Sequence, residues 1–208
     1  MANDLSRREL FRRSLGYGSS AWLALNLPWP RALRAAEDEP LVRAVFNEAE
    51  WKTVAAVTAR IIPTDEEPGA IEAGCVSFID KALAHEEAAQ KPVYAAGFAG
   101  LEAVSKRHFE KSFVDLEPGN QDEILSALAS GHAEGWPDGP VKPEHFFETL
   151  RVHTIIGFLA YPAYGGNLDY AGWRVAGYPG TRHHEGGYTP EQFTGKEKIV
   201  AVWEKPRP

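Results

Sequence analysis

His153 and the run His183-His184-Glu185 are the side chains in this sequence best suited to ligate a metal or to move a proton, with Asp169 as a further group within imaginable reach. Helical metal sites usually set ligands four residues apart on one face, whereas adjacent residues such as His183 and His184 point apart in most backbone conformations. A small exported metal-dependent enzyme using His153, His183 and His184 is therefore the alternative reading, and a solvated histidine pair in a loop is the simpler one. Asp65-Glu66-Glu67 lies between Pro63 and Gly69 and reads as a solvated turn. The sequence has no G-x-S-x-G elbow and no recognisable frame of paired carboxylates, so no catalytic residue is assigned. GYGSSA at 16–21 fits G-x-G-x-x-A, but a basic, polar run precedes it where a dinucleotide site needs a strand.

Cys75 is the single cysteine. One thiol excludes an internal disulfide framework, a cysteine-based zinc site, a cysteine-ligated iron–sulfur cluster and a C-x-x-C-H haem attachment within this chain. Two readings remain for Cys75: a small buried hydrophobe among Val76, Phe78 and Ile79, or an intersubunit disulfide in an oxidising compartment.

The formal net charge of −7, with no Lys/Arg cluster outside the N-terminus, gives no footprint for a nucleic-acid backbone. At the N-terminus, Arg7 and Arg8 are followed by Leu10 and Phe11, and a short, weakly apolar run spans 15–27. This pattern resembles a twin-arginine export signal, the route of proteins that fold before crossing, and implies a periplasmic destination. The run is too short to serve as a stable span, which needs about 20 residues. A division into a signal segment, 1–36, and one domain, 37–208, follows. No membrane span is expected after removal of the signal, which would leave 16 bases against 27 acids.

The elements that must position any site are helical. Asn47 and Glu50 form a capping box ahead of a helix over 48–62, and the spacing of apolar residues predicts further helices at about 71–84, 92–109, 118–130 and 143–158. The only stretch with some period-two alternation is 198–203. The expected fold is all-α, a small domain of about five helices followed by a long irregular region rich in glycine and aromatic residues.

Residues 153–180, HTIIGFLAYPAYGGNLDYAGWRVAGYPG, hold six glycines and six aromatics in 28 positions. Gly165 and Gly166 permit positive φ and Asn167 tolerates it, so YGGN is expected to make a tight reversal after a helix. Two readings stay open for the rings that follow. They pack the loop onto its own helices, or they form a surface that another protein completes.

The blocks IIPTDEEPGAIEAGCVSFIDKAL (61–83) and HTIIGFLAYPAYGGNLDYAGWRVAGYPG, behind the twin-arginine pattern, resemble the gluconate 2-dehydrogenase subunit 3 family. The resemblance implies a non-catalytic small, or gamma, subunit of a sugar or alcohol dehydrogenase complex. Its partner would be a large FAD-dependent flavoprotein of the glucose–methanol–choline oxidoreductase type, often accompanied by a cytochrome c subunit. No cofactor is expected in this chain; the FAD would sit in the partner, which would be exported by association. Tyr161, Tyr164, Gly165, Gly166, Asn167, Trp173, Tyr178 and Pro179 are the expected partner interface.

Overall fold

The computed structural model describes residues 43–180, 188–194, 196, 197 and 199. The first helix, α1 (Glu48–Ile61), starts where the capping box predicts: the Asn47 side chain accepts from the Glu50 N–H at 3.0 Å, and Glu50 accepts from the Asn47 N–H at 2.9 Å. It buries Val54, Val57 and Thr58 along one stripe, as expected of an amphipathic helix on a core.

The second helix starts later than its apolar pattern suggests. Residues 70–73 form a turn in which the Cys75 N–H donates to the Ala70 carbonyl, and Gly74 stands in the left-handed region at φ 70°. Only then does α2 (Cys75–Ala84) begin, and it buries Cys75, Val76, Ser77, Phe78, Ile79, Asp80, Ala82 and Leu83, covering its whole circumference. Ala70 and Ala73 are buried in the preceding turn, so the apolar spacing runs on ahead of the helix and does not mark its start.

Next come α3 (Lys91–Phe109), α4 (Pro118–Ala129) and α5 (Pro143–Leu159), each close to its predicted bounds. All three carry proline in the first turn, where a missing amide is tolerated. Two shorter helices, α6 (Ala171–Ala176) and α7 (Pro190–Phe193), and single 3₁₀ turns at Pro162–Tyr164 and Leu168–Tyr170 organise the irregular region. The described residues contain no strand. Residues 198–203 lie mostly outside them.

Helix α5 is the central element, packing against α1, α2, α3, α4 and α6. Around it Val54, Ile79, Leu83, Leu101, Leu128 and Leu150 are fully buried, each contributing roughly 1.5–3 kcal/mol relative to exposure. A second, smaller cluster gathers Ile62, Ala70, Ala73, Cys75, Phe158 and Ala171 at the far end of α5. It joins the turn before α2 to α6. No helix of the described residues is long and apolar enough to cross a membrane.

Candidate functional site: an aromatic loop braced from within

Beyond Leu159 the chain must reverse, and Asn167 organises the reversal. The Asn167 side chain is fully buried; its Nδ2 donates to the Ala160 carbonyl at 2.8 Å, and its Oδ1 accepts from the Gly172 N–H at 2.8 Å and the Trp173 N–H at 3.4 Å. One side chain thus ties the end of α5 to the start of α6, satisfying backbone groups that helix termini leave open. Farther along, the Leu168 N–H donates to the Ala73 carbonyl at 3.1 Å, fastening the loop to the turn before α2.

Gly165, at φ 89°, and Asn167, at φ 48°, take the left-handed conformation the sequence suggests. Gly166 does not; a Cβ there would lie 2.2 Å from the Gly157 carbonyl oxygen, so its role is close approach to the helix and not backbone angle. Asp169 and Tyr170 also stand at positive φ, 51° and 58°. Non-glycine residues hold such angles at a cost of about 1–3 kcal/mol each, and persist there when the surroundings dictate the conformation. Aspartate, like asparagine, tolerates this region better than most residues, whereas nothing in the residue type at 170 signals it.

On this frame the rings form a connected set. Tyr170 stacks on Trp173 at 5.2 Å, Tyr178 meets Trp173 edge-on at 4.9 Å, and Tyr161 reaches both Trp173 at 6.5 Å and Tyr164 at 6.1 Å. Tyr161, Tyr164, Trp173 and Pro179 are half-buried, while Tyr178 retains 38% of its surface. Leu168 and Ile71, which the sequence does not single out, are 46% exposed and flank the same turn. Burial raises the Tyr164 phenol first, with the charges of Tyr161 and Glu86 adding to it. The arrangement therefore offers neutral aromatic area and no nucleophile. Gly166 and Asn167 are buried in the loop's internal packing, whereas Trp173 and Tyr161 are half-buried and Tyr178 is exposed.

Of the candidate ligands, His153 and Asp169 lie among the described residues. His153 lies buried in α5, where its Nδ1 takes part in a 3.0 Å hydrogen bond with the Tyr94 hydroxyl, the rings stacked at 5.8 Å. Burial pulls its imidazole down to about 4, so it is neutral. Its Nε2 stands 3.9 Å from the Glu87 carboxylate, which burial chiefly, and Glu86 secondarily, hold above the usual range. Among the described residues no three His, Cys, Asp or Glu side chains are grouped to hold a metal. His183, His184 and Glu185 lie outside the described residues, as do Arg7, Arg8, Leu10 and Phe11 of the export pattern. Asp169 is exposed.

Cys75 is placed against the disulfide expectation. It has no exposed surface, and burial pushes its thiol up to about 12. A partner's sulfur cannot reach it without opening the cluster of Ile62, Ala70, Phe158 and Ala171. The small-hydrophobe reading fits this placement. An open groove of about 560 Å³ between α1 and α3 is lined by Glu48, Glu50 and Glu102 among others. Those carboxylates already meet Lys52, the Asn47 N–H and Ser112.

Fold and site define an all-α domain that presents a ring cluster on a loop braced from inside. The chain belongs to the gluconate 2-dehydrogenase subunit 3 family, whose model matches residues 48–180, more than half of its length. Comparison with curated proteins and with solved structures returned no match. The family is that of a subunit of a gluconate dehydrogenase complex, which implies a catalytic partner.

Proposed function

We propose that this chain is the non-catalytic small subunit of a periplasmic sugar or alcohol dehydrogenase. It binds, matures and co-exports an FAD-dependent catalytic subunit of the glucose–methanol–choline type, with Arg7 and Arg8 carrying the twin-arginine signal. One observation carries the reading: the ring cluster centred on Trp173 and Tyr178 sits on a loop whose backbone is already fixed by Asn167. A surface ordered in advance loses little conformational freedom on association, and Tyr and Trp offer large contact area with few rotors. Family membership and the export pattern support the same reading. The FAD belongs to the partner, and a cytochrome c subunit completes the assembly.

Co-expression tests it. The catalytic subunit should reach the periplasm with flavin bound when this chain is present, and should stay in the cytoplasm when it is absent. Equal export of a flavin-loaded catalytic subunit without this chain would end the proposal.

A further inference from the structure

The extended residues that lead into a helix fray unless something ties them down. Here five consecutive residues are each held by a different contact. The Arg43 guanidinium lies 5.6 Å from the Trp51 ring centre and 3.7 Å from Glu48. Asn47 closes the capping box with Glu50. Between them the N–H groups of Ala44, Val45 and Phe46 all donate to the carboxylate of Asp80, at 2.5, 2.9 and 2.7 Å. The Phe46 ring is 4% exposed and packs on Tyr94 and Phe98.

Asp80 lies on α2, 1% exposed, and none of the ion pairs among the described residues includes it. Three amides compensate its charge. Pulling any of them away leaves a buried carboxylate short of donors, which is strongly unfavourable, so the three bonds are expected to open together or not at all.

We propose that Asp80 and the amides of residues 44–46 form a proteolytic stop, a collar that sets the downstream limit to which peptidases can trim the N-terminal segment. Peptide recognition in extended form uses free backbone N–H groups. At Ala44, Val45 and Phe46 those groups are committed to Asp80, and the Arg43 side chain is engaged by Trp51 and Glu48. The proposal rests on the residues of the lead-in and α2 and is independent of the partner's identity.

Trypsin acting on the purified full-length chain, followed by intact mass, tests it, because Arg43–Ala44 is a tryptic bond within the collar and Lys52–Thr53 is one within α1. In the native chain, cleavage at Arg43–Ala44 should be at least about 100-fold slower than in the urea-unfolded chain, and no faster than at Lys52–Thr53. Asp80→Asn places an amide where the Ala44 N–H donates, and should speed cleavage at Arg43–Ala44 by at least about 10-fold with Lys52–Thr53 unchanged. Rapid cleavage at Arg43–Ala44 in the native chain overturns the collar. So does an equal acceleration of both bonds in Asp80→Asn, which would make Asp80 a contributor to global stability alone. Should Asp80→Asn fail to fold, amide exchange in the native chain decides: Ala44, Val45 and Phe46 should exchange as slowly as the amides within α2, and exchange at coil rates overturns the proposal.

Discussion

The indole N–H of Trp173 donates to the backbone carbonyl of Leu159 at 2.7 Å, so the ring at the centre of the aromatic cluster is also a fastening for the last turn of α5. Trp173 therefore serves fold and surface together, and its truncation cannot separate them. Tyr178 can. It touches Trp173 edge-on and is 38% exposed.

Trp173→Phe should lower the stability of the free chain by about 1 kcal/mol, the worth of one hydrogen bond, and Trp173→Ala by about 3 kcal/mol. Tyr178→Ala should change stability by less than about 1 kcal/mol yet weaken the complex with the catalytic subunit by about 2 kcal/mol, roughly 30-fold in affinity. Urea unfolding of the free chain and titration of the two subunits give the two numbers. A Tyr178→Ala chain that binds normally would remove the ring cluster from the interface.

Asn167→Gly keeps the left-handed backbone angle available while deleting the bonds to Ala160, Gly172 and Trp173. The expected loss is about 2 kcal/mol, from one buried bond and two part-buried ones, the longer of which contributes least. Gly166→Ala acts through space instead, because the added methyl group meets the Gly157 carbonyl oxygen. It should part the loop from α5 and weaken partner binding with it. Both are checked by thermal unfolding, and a Gly166→Ala chain of unchanged stability would show that the contact yields without consequence.

Arg7→Lys together with Arg8→Lys should hold this chain in the cytoplasm, and the catalytic subunit with it. Fractionation after co-expression measures both. Continued export of the pair would remove the twin-arginine signal from the account.

Much of this architecture is legible in the residues, and the exceptions share a cause. Asn47 and Glu50 announce α1 because a capping box is local, and Pro143 announces α5 for the same reason. The left-handed angle at Asn167 is equally local. What Asn167 does with its side chain is not, since Ala160 and Gly172 become neighbours only after the chain has reversed. Tyr94 and His153 lie 59 positions apart, and Asp80 lies 34 to 36 from its three donors. The signal for Asp80 was the single carboxylate of α2, between Ile79 and Lys81 in a mostly apolar helix, where an unpaired buried charge is not tolerated.

Cys75 should be inert in the folded chain. A thiol pushed up to about 12 and without exposed surface carries almost no thiolate near neutral pH. A disulfide-exchange reagent should react with it only at the rate at which the cluster around Phe158 opens, and at full rate in urea. Non-reducing gels of the purified chain should show a monomer. A heavier band abolished by Cys75→Ser would restore the intersubunit disulfide.

His153 should make the fold acid-sensitive. Its imidazole titrates at about 4 in the fold against the ordinary 6.5, so the unfolded chain binds the proton more readily between those values. The stability it confers is complete above pH 6.5 and is lost as the pH falls toward 4, by about 3 kcal/mol if the full difference is expressed. Glu87, raised by burial, works in the opposite sense and binds its proton more readily in the fold, so it offsets part of the loss. His153→Phe keeps a ring beside Tyr94 and removes the titration. Urea unfolding between pH 4 and 7 should show a shallower decline for His153→Phe than for the native chain. Identical slopes would mean that the Tyr94–His153 pair opens to water before it protonates.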